Sequence, residues 1–87
     1  MRRKQNRKKD KAISMFKHSE RRAWQRYGIV LTRHLHNRMC NEILSGRSIF
    51  LVKQSVSRSI HIVEVDDARY KVVYDNTRKA LKTFLDI

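Results

Sequence analysis

The chain has 87 residues, of which 21 are Lys or Arg and 8 are Asp or Glu, and its formal net charge is +13. This length allows one small domain with a modest core, and a hydrophobic content of 40% excludes a wholly disordered chain. No apolar run approaches the roughly 20 residues that span a bilayer, and no apolar signal-peptide core follows the basic N-terminus. The single cysteine, Cys40, allows no internal disulfide and fits a reducing cytosol. We therefore expect a cytoplasmic domain with no membrane partner.

The positive charge is concentrated at the start of the chain. Residues 1–27 contain 11 basic and 2 acidic side chains, residues 28–46 contain 2 and 1, and residues 47–87 contain 8 and 5. Such an excess repels itself unless an anionic partner binds it. The distribution favours nucleic acid as that partner, ahead of an anionic membrane surface.

Residues 1–11 form the most basic stretch and have no apolar anchor after Met1. This composition predicts a flexible arm that binds nucleic acid without sequence preference and folds on contact. The alternative is a solubilising tail. The basic residues of the arm are Arg2, Arg3, Lys4, Arg7, Lys8, Lys9 and Lys11.

A basic helix is predicted over residues 16–29, with an extension back to residue 12 and Ser14 as its N-cap. At about 3.6 residues per turn, His18, Arg22 and Arg26 are one turn apart and share a face. An imidazole and two guanidinium groups on one exposed face suit a phosphate backbone. The alternative is a solvated face of a helix in a basic protein.

The same helix has a second, apolar stripe. Phe16, Ala23 and Tyr27 lie on this stripe and are predicted to pack on a core. Gly28 can take the left-handed conformation that ends a helix. Trp24 lies off the stripe, where we favour a position at the edge of the core. Exposure, with stacking on a nucleobase, is the alternative for Trp24.

A second helix is predicted from about Arg33 to Ser45. Thr32 is a suitable N-cap, and Gly46 is a natural C-terminal stop. Apolar residues at four-residue spacing form the stripe that faces the core, namely Leu35, Met39 and Ile43.

From residue 49 onward the pattern changes to that of strands. Short segments rich in β-branched and aromatic residues are separated by polar turns. The short connections predict an antiparallel meander. The expected fold class is α+β, with two N-terminal helices packed on a four-stranded antiparallel sheet in a single domain over residues 12–87. The predicted strands are residues 49–52, 59–65, 69–74 and 80–85.

A two-residue turn near residues 66 and 67 would fix which side chains of the second and third strands share a face. It would place residues 61, 63 and 65 with residues 70, 72 and 74. Glu64 and Lys71 would lie on the other face and could pair. Tyr70 and Tyr74 are predicted as core residues rather than as a platform for stacking bases.

Three segments of the chain resemble a known family. They are a helix of the form His-x-x-x-Arg-x-x-x-Arg-Tyr-Gly-Ile over residues 18–29, a strand Tyr-x-Val-Val-Tyr-Asp over residues 70–75, and a strand Thr-Phe-Leu over residues 83–85. The pattern covers residues 16–87 and resembles a small family of phage and bacterial proteins. It is more distantly similar to the RelE- and BrnT-type toxins. The resemblance implies helices on a four-stranded antiparallel sheet and cleavage of RNA without a metal ion.

A ribonuclease of this kind needs a group that activates the 2′-hydroxyl, a group that protonates the leaving oxygen, and cations that stabilise the charged intermediate. His18 is the candidate acid or base because its reference pKa lies near 6.5. Arg22 and Arg26 are the candidate phosphate ligands. A further group from the sheet is expected to be Arg78, Tyr74 or Thr83.

His34, His36 and Cys40 are spaced as a metal site could be, but no fourth ligand is evident. Cys40 also adjoins the apolar stripe of the second helix. We therefore expect neither a metal nor another cofactor. His61 lies in an apolar strand and is predicted to be buried and hydrogen-bonded.

The sequence favours a small basic phage-type protein that binds RNA or DNA, with RNA favoured, through the arm and the first helix. One alternative is a RelE-like ribonuclease that acts on RNA, including ribosomal targets. Another is a phage inhibitor that binds an acidic groove of a host protein. The expected contact residues are Arg2, Arg3, Lys4, Arg7, Lys8, Lys9, Lys11, Lys17, His18, Arg21, Arg22, Arg26 and Arg78.

Overall fold

A computed structural model of the chain describes the backbone of residues 7–87 and the side chains of residues 13–87. The four strands form one antiparallel sheet in the order β1-β2-β3-β4, preceded by two helices. The predicted α+β class and the order of its elements are therefore confirmed. Within residues 7–87, neither helix is long and apolar enough to cross a membrane. The elements are α1 (Arg7–Tyr27), α2 (Arg33–Leu44), β1 (Ile49–Lys53), β2 (Arg58–Val65), β3 (Ala68–Asp75) and β4 (Ala80–Leu85).

The first helix is longer than the sequence pattern predicts. It begins at Arg7, so its first residues overlap the predicted arm, and Ser14 lies inside it on an exposed turn. The prediction that Ser14 is the N-cap is therefore wrong. Neither glycine nor proline interrupts this stretch, and Lys and Arg are good helix formers. The helix therefore extends toward the N-terminus beyond Ala12 and Ile13. Residues 1–6 lie outside the described residues.

Both helices end where the glycines predict. Gly28 and Gly46 have φ angles of +66° and +81°, a conformation that other residues adopt at a steric cost. The Thr32 hydroxyl accepts a hydrogen bond from the backbone N–H of Leu35 at 3.1 Å. This contact confirms the predicted N-cap of α2.

A two-residue turn sets the register between β2 and β3. Asp66 and Asp67 both have positive φ angles, as a turn compatible with strand twist requires. His61 lies opposite Val72, and the predicted sharing of faces is confirmed. On the other face, Glu64 lies opposite Arg69. The predicted ion pair of Glu64 with the lysine at position 71 is absent among the described side chains.

The core lies between the helices and one face of the sheet. Ala23 of α1 and Met39 of α2 are fully buried there, and Phe16 and Tyr27 pack against them, which confirms the predicted stripes. The tyrosines of β3 are buried in this core and form no stacking platform. The strand residues of the core are Val63, Val65, Tyr70, Val72, Tyr74, Leu81 and Phe84.

The first helix also covers the outer edge of β4. The buried Ser19 hydroxyl donates a hydrogen bond to the carbonyl oxygen of Leu81 at 3.0 Å. The Tyr27 hydroxyl donates to the carbonyl oxygen of Leu85 and accepts the backbone N–H of Lys71. These bonds satisfy backbone groups of the sheet and fix α1 along β4. They thereby determine where the basic face of α1 lies.

Candidate nucleic-acid interface

His18 of α1 meets the sheet at Thr83 of β4. Its Nε2 atom lies 3.1 Å from the Thr83 hydroxyl oxygen, so of Arg78, Tyr74 and Thr83 it is Thr83 that contacts His18. Burial, followed by the charges of Arg22, Lys82 and Arg21, lowers the pKa of His18 below its usual 6.5. The imidazole is therefore neutral at pH 7 and lies beside several cations.

Arg26 is held differently from the other members of the predicted face. Its guanidinium forms an ion pair with Asp86, directly after β4, at 2.8 Å. Arg22 makes only a long contact of 3.4 Å with Gln25. Arg22 and Arg26 of the predicted face therefore differ in their partners. Arg22 has no acidic partner among the described side chains, whereas the charge of Arg26 is already compensated.

A cleft of about 260 Å³ opens where α1 passes the ends of β2, β3 and β4. Arg58 at the start of β2, Arg78 in the turn after β3, and Lys82 of β4 contribute its cations. Asp75 is the single acidic residue of the lining, and its carboxylate accepts the backbone N–H groups of residues 77 and 78. The remaining lining residues are Met15, Ser57 and Thr77.

Most cations around this cleft have no ion pair with another described side chain. Three ion pairs occur among residues 13–87, and they involve Arg26, Arg38 and Arg47. The positive charge near the cleft is therefore available to an external anion. Among residues 13–87, the cations on α1 and at the cleft that form no ion pair are Lys17, Arg21, Arg22, Arg58, Arg78 and Lys82.

Trp24 lies on the other flank of α1. Its residue surface is 62% exposed, so the favoured position at the edge of the core is wrong. One residue corresponds to about 100° around a helix, and Trp24 is turned away from the buried Ala23 by that angle. With Ile29, Val30 and the basic residues of the neighbouring turn, it lines a shallow groove of about 420 Å³.

His36 and His61 serve the fold, whereas His34 is exposed. His36 is buried, and its Nε2 accepts the backbone N–H of Leu81 at 3.2 Å, while Cys40 Sγ lies 3.9 Å from the ring. Among the described residues, no group of three His, Cys, Asp or Glu side chains is placed to hold a metal ion. His61 is buried and hydrogen-bonded, as predicted. Its Nδ1 atom lies 3.0 Å from the Ser48 hydroxyl oxygen, and its Nε2 atom lies 2.8 Å from the Ser59 hydroxyl oxygen.

Two cleft residues, Arg58 and Lys82, are absent from the predicted contact set. Arg58 directly precedes the predicted second strand, and the two-residue turn places it opposite Asp75. That register is readable from the sequence, so Arg58 could have been found. Lys82 lies at a bulge, where β4 shifts register between the partners of Val73 and Tyr74. No sequence signal marks this bulge.

The predicted contacts at positions 2–4, 7–9 and 11 stay predictions, because the side chains of residues 1–12 lie outside the described part of the chain. No family model, no curated protein and no solved structure matches this chain. The resemblance to phage proteins and RelE- or BrnT-type toxins therefore stays a prediction from sequence.

Proposed function

We propose that this protein binds RNA through α1 and the cleft beside it. The observation that carries this proposal is the convergence of Arg58, Arg78 and Lys82, from three separate elements, on one cleft. None of the three forms an ion pair with another described side chain. Guanidinium and ammonium groups held in this way suit phosphate oxygens. RNA is favoured over DNA by the sequence resemblance to toxins that cleave RNA.

A salt titration of RNA binding tests the proposal. Binding is read from the fluorescence anisotropy of a labelled RNA, because Trp24, the only tryptophan, lies on the other flank of α1 from the cleft. Each phosphate neutralised on a single strand contributes about −0.7 to the slope of log K against log salt. We expect a slope of about −3 or steeper, since at least four cations meet the phosphates. An affinity that does not change with salt would contradict the proposal.

A second candidate function is metal-independent cleavage of RNA, and the observation that favours it is the contact between neutral His18 and Thr83. The His18 imidazole would take the proton of a 2′-hydroxyl, whose oxygen attacks phosphorus while the bond to the 5′-oxygen breaks. That 5′-oxygen would take a proton from solvent and leave as a hydroxyl, and the imidazolium would return its proton to solvent. Arg22 and Lys82 would stabilise the charge that develops on the phosphoryl oxygens. The product would be a 2′,3′-cyclic phosphate.

Cleavage is tested in the presence of EDTA with His18→Gln and a matched control, His34→Gln, at an exposed histidine. Cleavage by the wild type is expected to fall at least about 100-fold in His18→Gln. It should be retained in His34→Gln, and a substrate with a 2′-deoxy sugar at the cleavage site should stay intact. Failure of the wild type to cleave RNA would exclude the ribonuclease and leave the binding proposal standing.

A further inference from the structure

The two outer strands of the sheet differ in how their edges are protected. The edge of β4 is covered by α1 through the bond from Ser19 to Leu81. All five residues of β1 are exposed, and its four large apolar residues, at positions 49–52, are each 44–58% exposed. Natural proteins protect such edges with charge, proline or a covering element, and β1 has a single charge, Lys53, at its end.

The exposed side chains of β1 lie on both faces of the sheet. Ile49 and Val52 pair with residues 62 and 60 of β2, on the face opposite the core. Phe50 lies on the helix-bearing face, where its ring meets His61 at 5.6 Å between centroids. A helix docked on either face would cover only one of these sets. A strand added along the edge would cover both.

The charge pattern indicates which strand can approach. A chain with a net charge of +13 repels a second copy of itself over most of its surface. Residues 48–57 contain one charged side chain, Lys53, and are therefore the surface where two copies meet with least repulsion. The four apolar residues at positions 49–52 can also pair with themselves in an antiparallel arrangement.

We propose that β1 pairs antiparallel with β1 of a second copy. Ile49 lies opposite Val52 of the second copy, and Phe50 lies opposite Leu51 of the second copy. This register keeps Ile49 and Val52 on one face, because the bulge between Phe50 and Val52 has already moved them there. The product is an eight-stranded sheet whose two RNA interfaces lie at opposite edges, about 34 Å apart at roughly 4.8 Å per strand.

Sedimentation velocity of the full chain, treated with nuclease and kept at high salt so that RNA cannot bridge copies, tests this pairing. The wild type is expected to sediment as a dimer of 10.5 kDa subunits. Val52→Lys should be monomeric, because it places two like charges in the paired edge. Val30→Lys makes the same change at an aliphatic residue that is 66% exposed in the connection between α1 and α2, and should remain dimeric.

Circular dichroism on both variants checks that each retains the wild-type secondary structure. Val52 is already half exposed, so lysine at this position does not need a place in the core. A wild type that stays monomeric up to millimolar concentration would overturn the proposal. A Val52→Lys variant that still dimerises as well as the wild type would overturn it equally, because the copies would then meet at another surface.

Discussion

At the scale of single residues, the pKa values of His18, His36 and His61 are shifted in the same direction. Burial is the largest cause that lowers the pKa of each below 6.5. The neutral form of His36 is also required by its contacts, since Nε2 accepts the Leu81 N–H and Nδ1 lies 3.3 Å from the Asn37 side-chain oxygen. A proton on Nε2 would remove that acceptor.

The stability of the domain is therefore expected to fall as the pH falls below about 6.5. The unfolded chain binds protons on these histidines at their usual pKa, whereas the folded chain binds them only at lower pH, so protonation favours unfolding. Thermal melts between pH 7.5 and pH 5 should show a falling midpoint. His36→Gln should reduce this dependence, and the exposed His34→Gln should not change it. A midpoint that rises on acidification would show that the histidines are better accommodated in their charged form.

At the scale of elements, the position of α1 depends on a few bonds to the edge of β4. Ser19 is fully buried, and its hydroxyl is the donor to the Leu81 carbonyl. Ser19→Ala leaves this carbonyl without that partner and should lower the free energy of unfolding by about 1–3 kcal/mol. For a domain of this size, the midpoint should fall by roughly 4–24 °C.

Ser14→Ala is the matched control, because Ser14 is exposed in the same helix. Alanine has the higher helix propensity, so this variant should be as stable as the wild type or slightly more stable. Equal midpoints for the two alanine variants, measured by thermal denaturation, would mean that the bond from Ser19 does not hold α1 on β4.

The elements themselves were predictable where short-range chemistry decides them. The glycines at positions 28 and 46 end the helices, and the two aspartates at the turn fix the register of β2 and β3. The N-terminal start of α1 was not predictable from apolar periodicity, because the helix continues through a stretch with almost no apolar residue. There, the helix propensity of Lys and Arg extends the helix.

The candidate site was predictable only in part, because it depends on contacts between distant residues. His18 and Thr83 were both identified from the sequence, and α1 packing brings them together. Arg26 was assigned to the same face, but its partner Asp86 lies 60 positions along the chain. Lys82 enters the site because of the bulge in β4, and such a bulge depends on the tertiary structure.

At the scale of the whole molecule, the proposed binding of RNA has to be distinguished from a general effect of net charge. A chain with a charge of +13 attracts any polyanion, so affinity for RNA by itself does not locate an interface. The proposed interface lies at the end of the sheet where α1, β4 and the turn after β3 meet. Cations at other parts of the sheet should contribute less, because they do not contact the bound phosphates.

The most direct test compares two double variants that each remove one Arg and one Lys. Arg78→Gln with Lys82→Gln removes two cations of the cleft, and Arg69→Gln with Lys71→Gln removes two from β3 outside the cleft lining. Dissociation constants for one RNA should be measured across a salt series. The cleft variant should bind at least about 10-fold more weakly and lose about 1.4 from its salt slope, whereas the control should stay near the wild type. Equal weakening by both variants would contradict the interface described above.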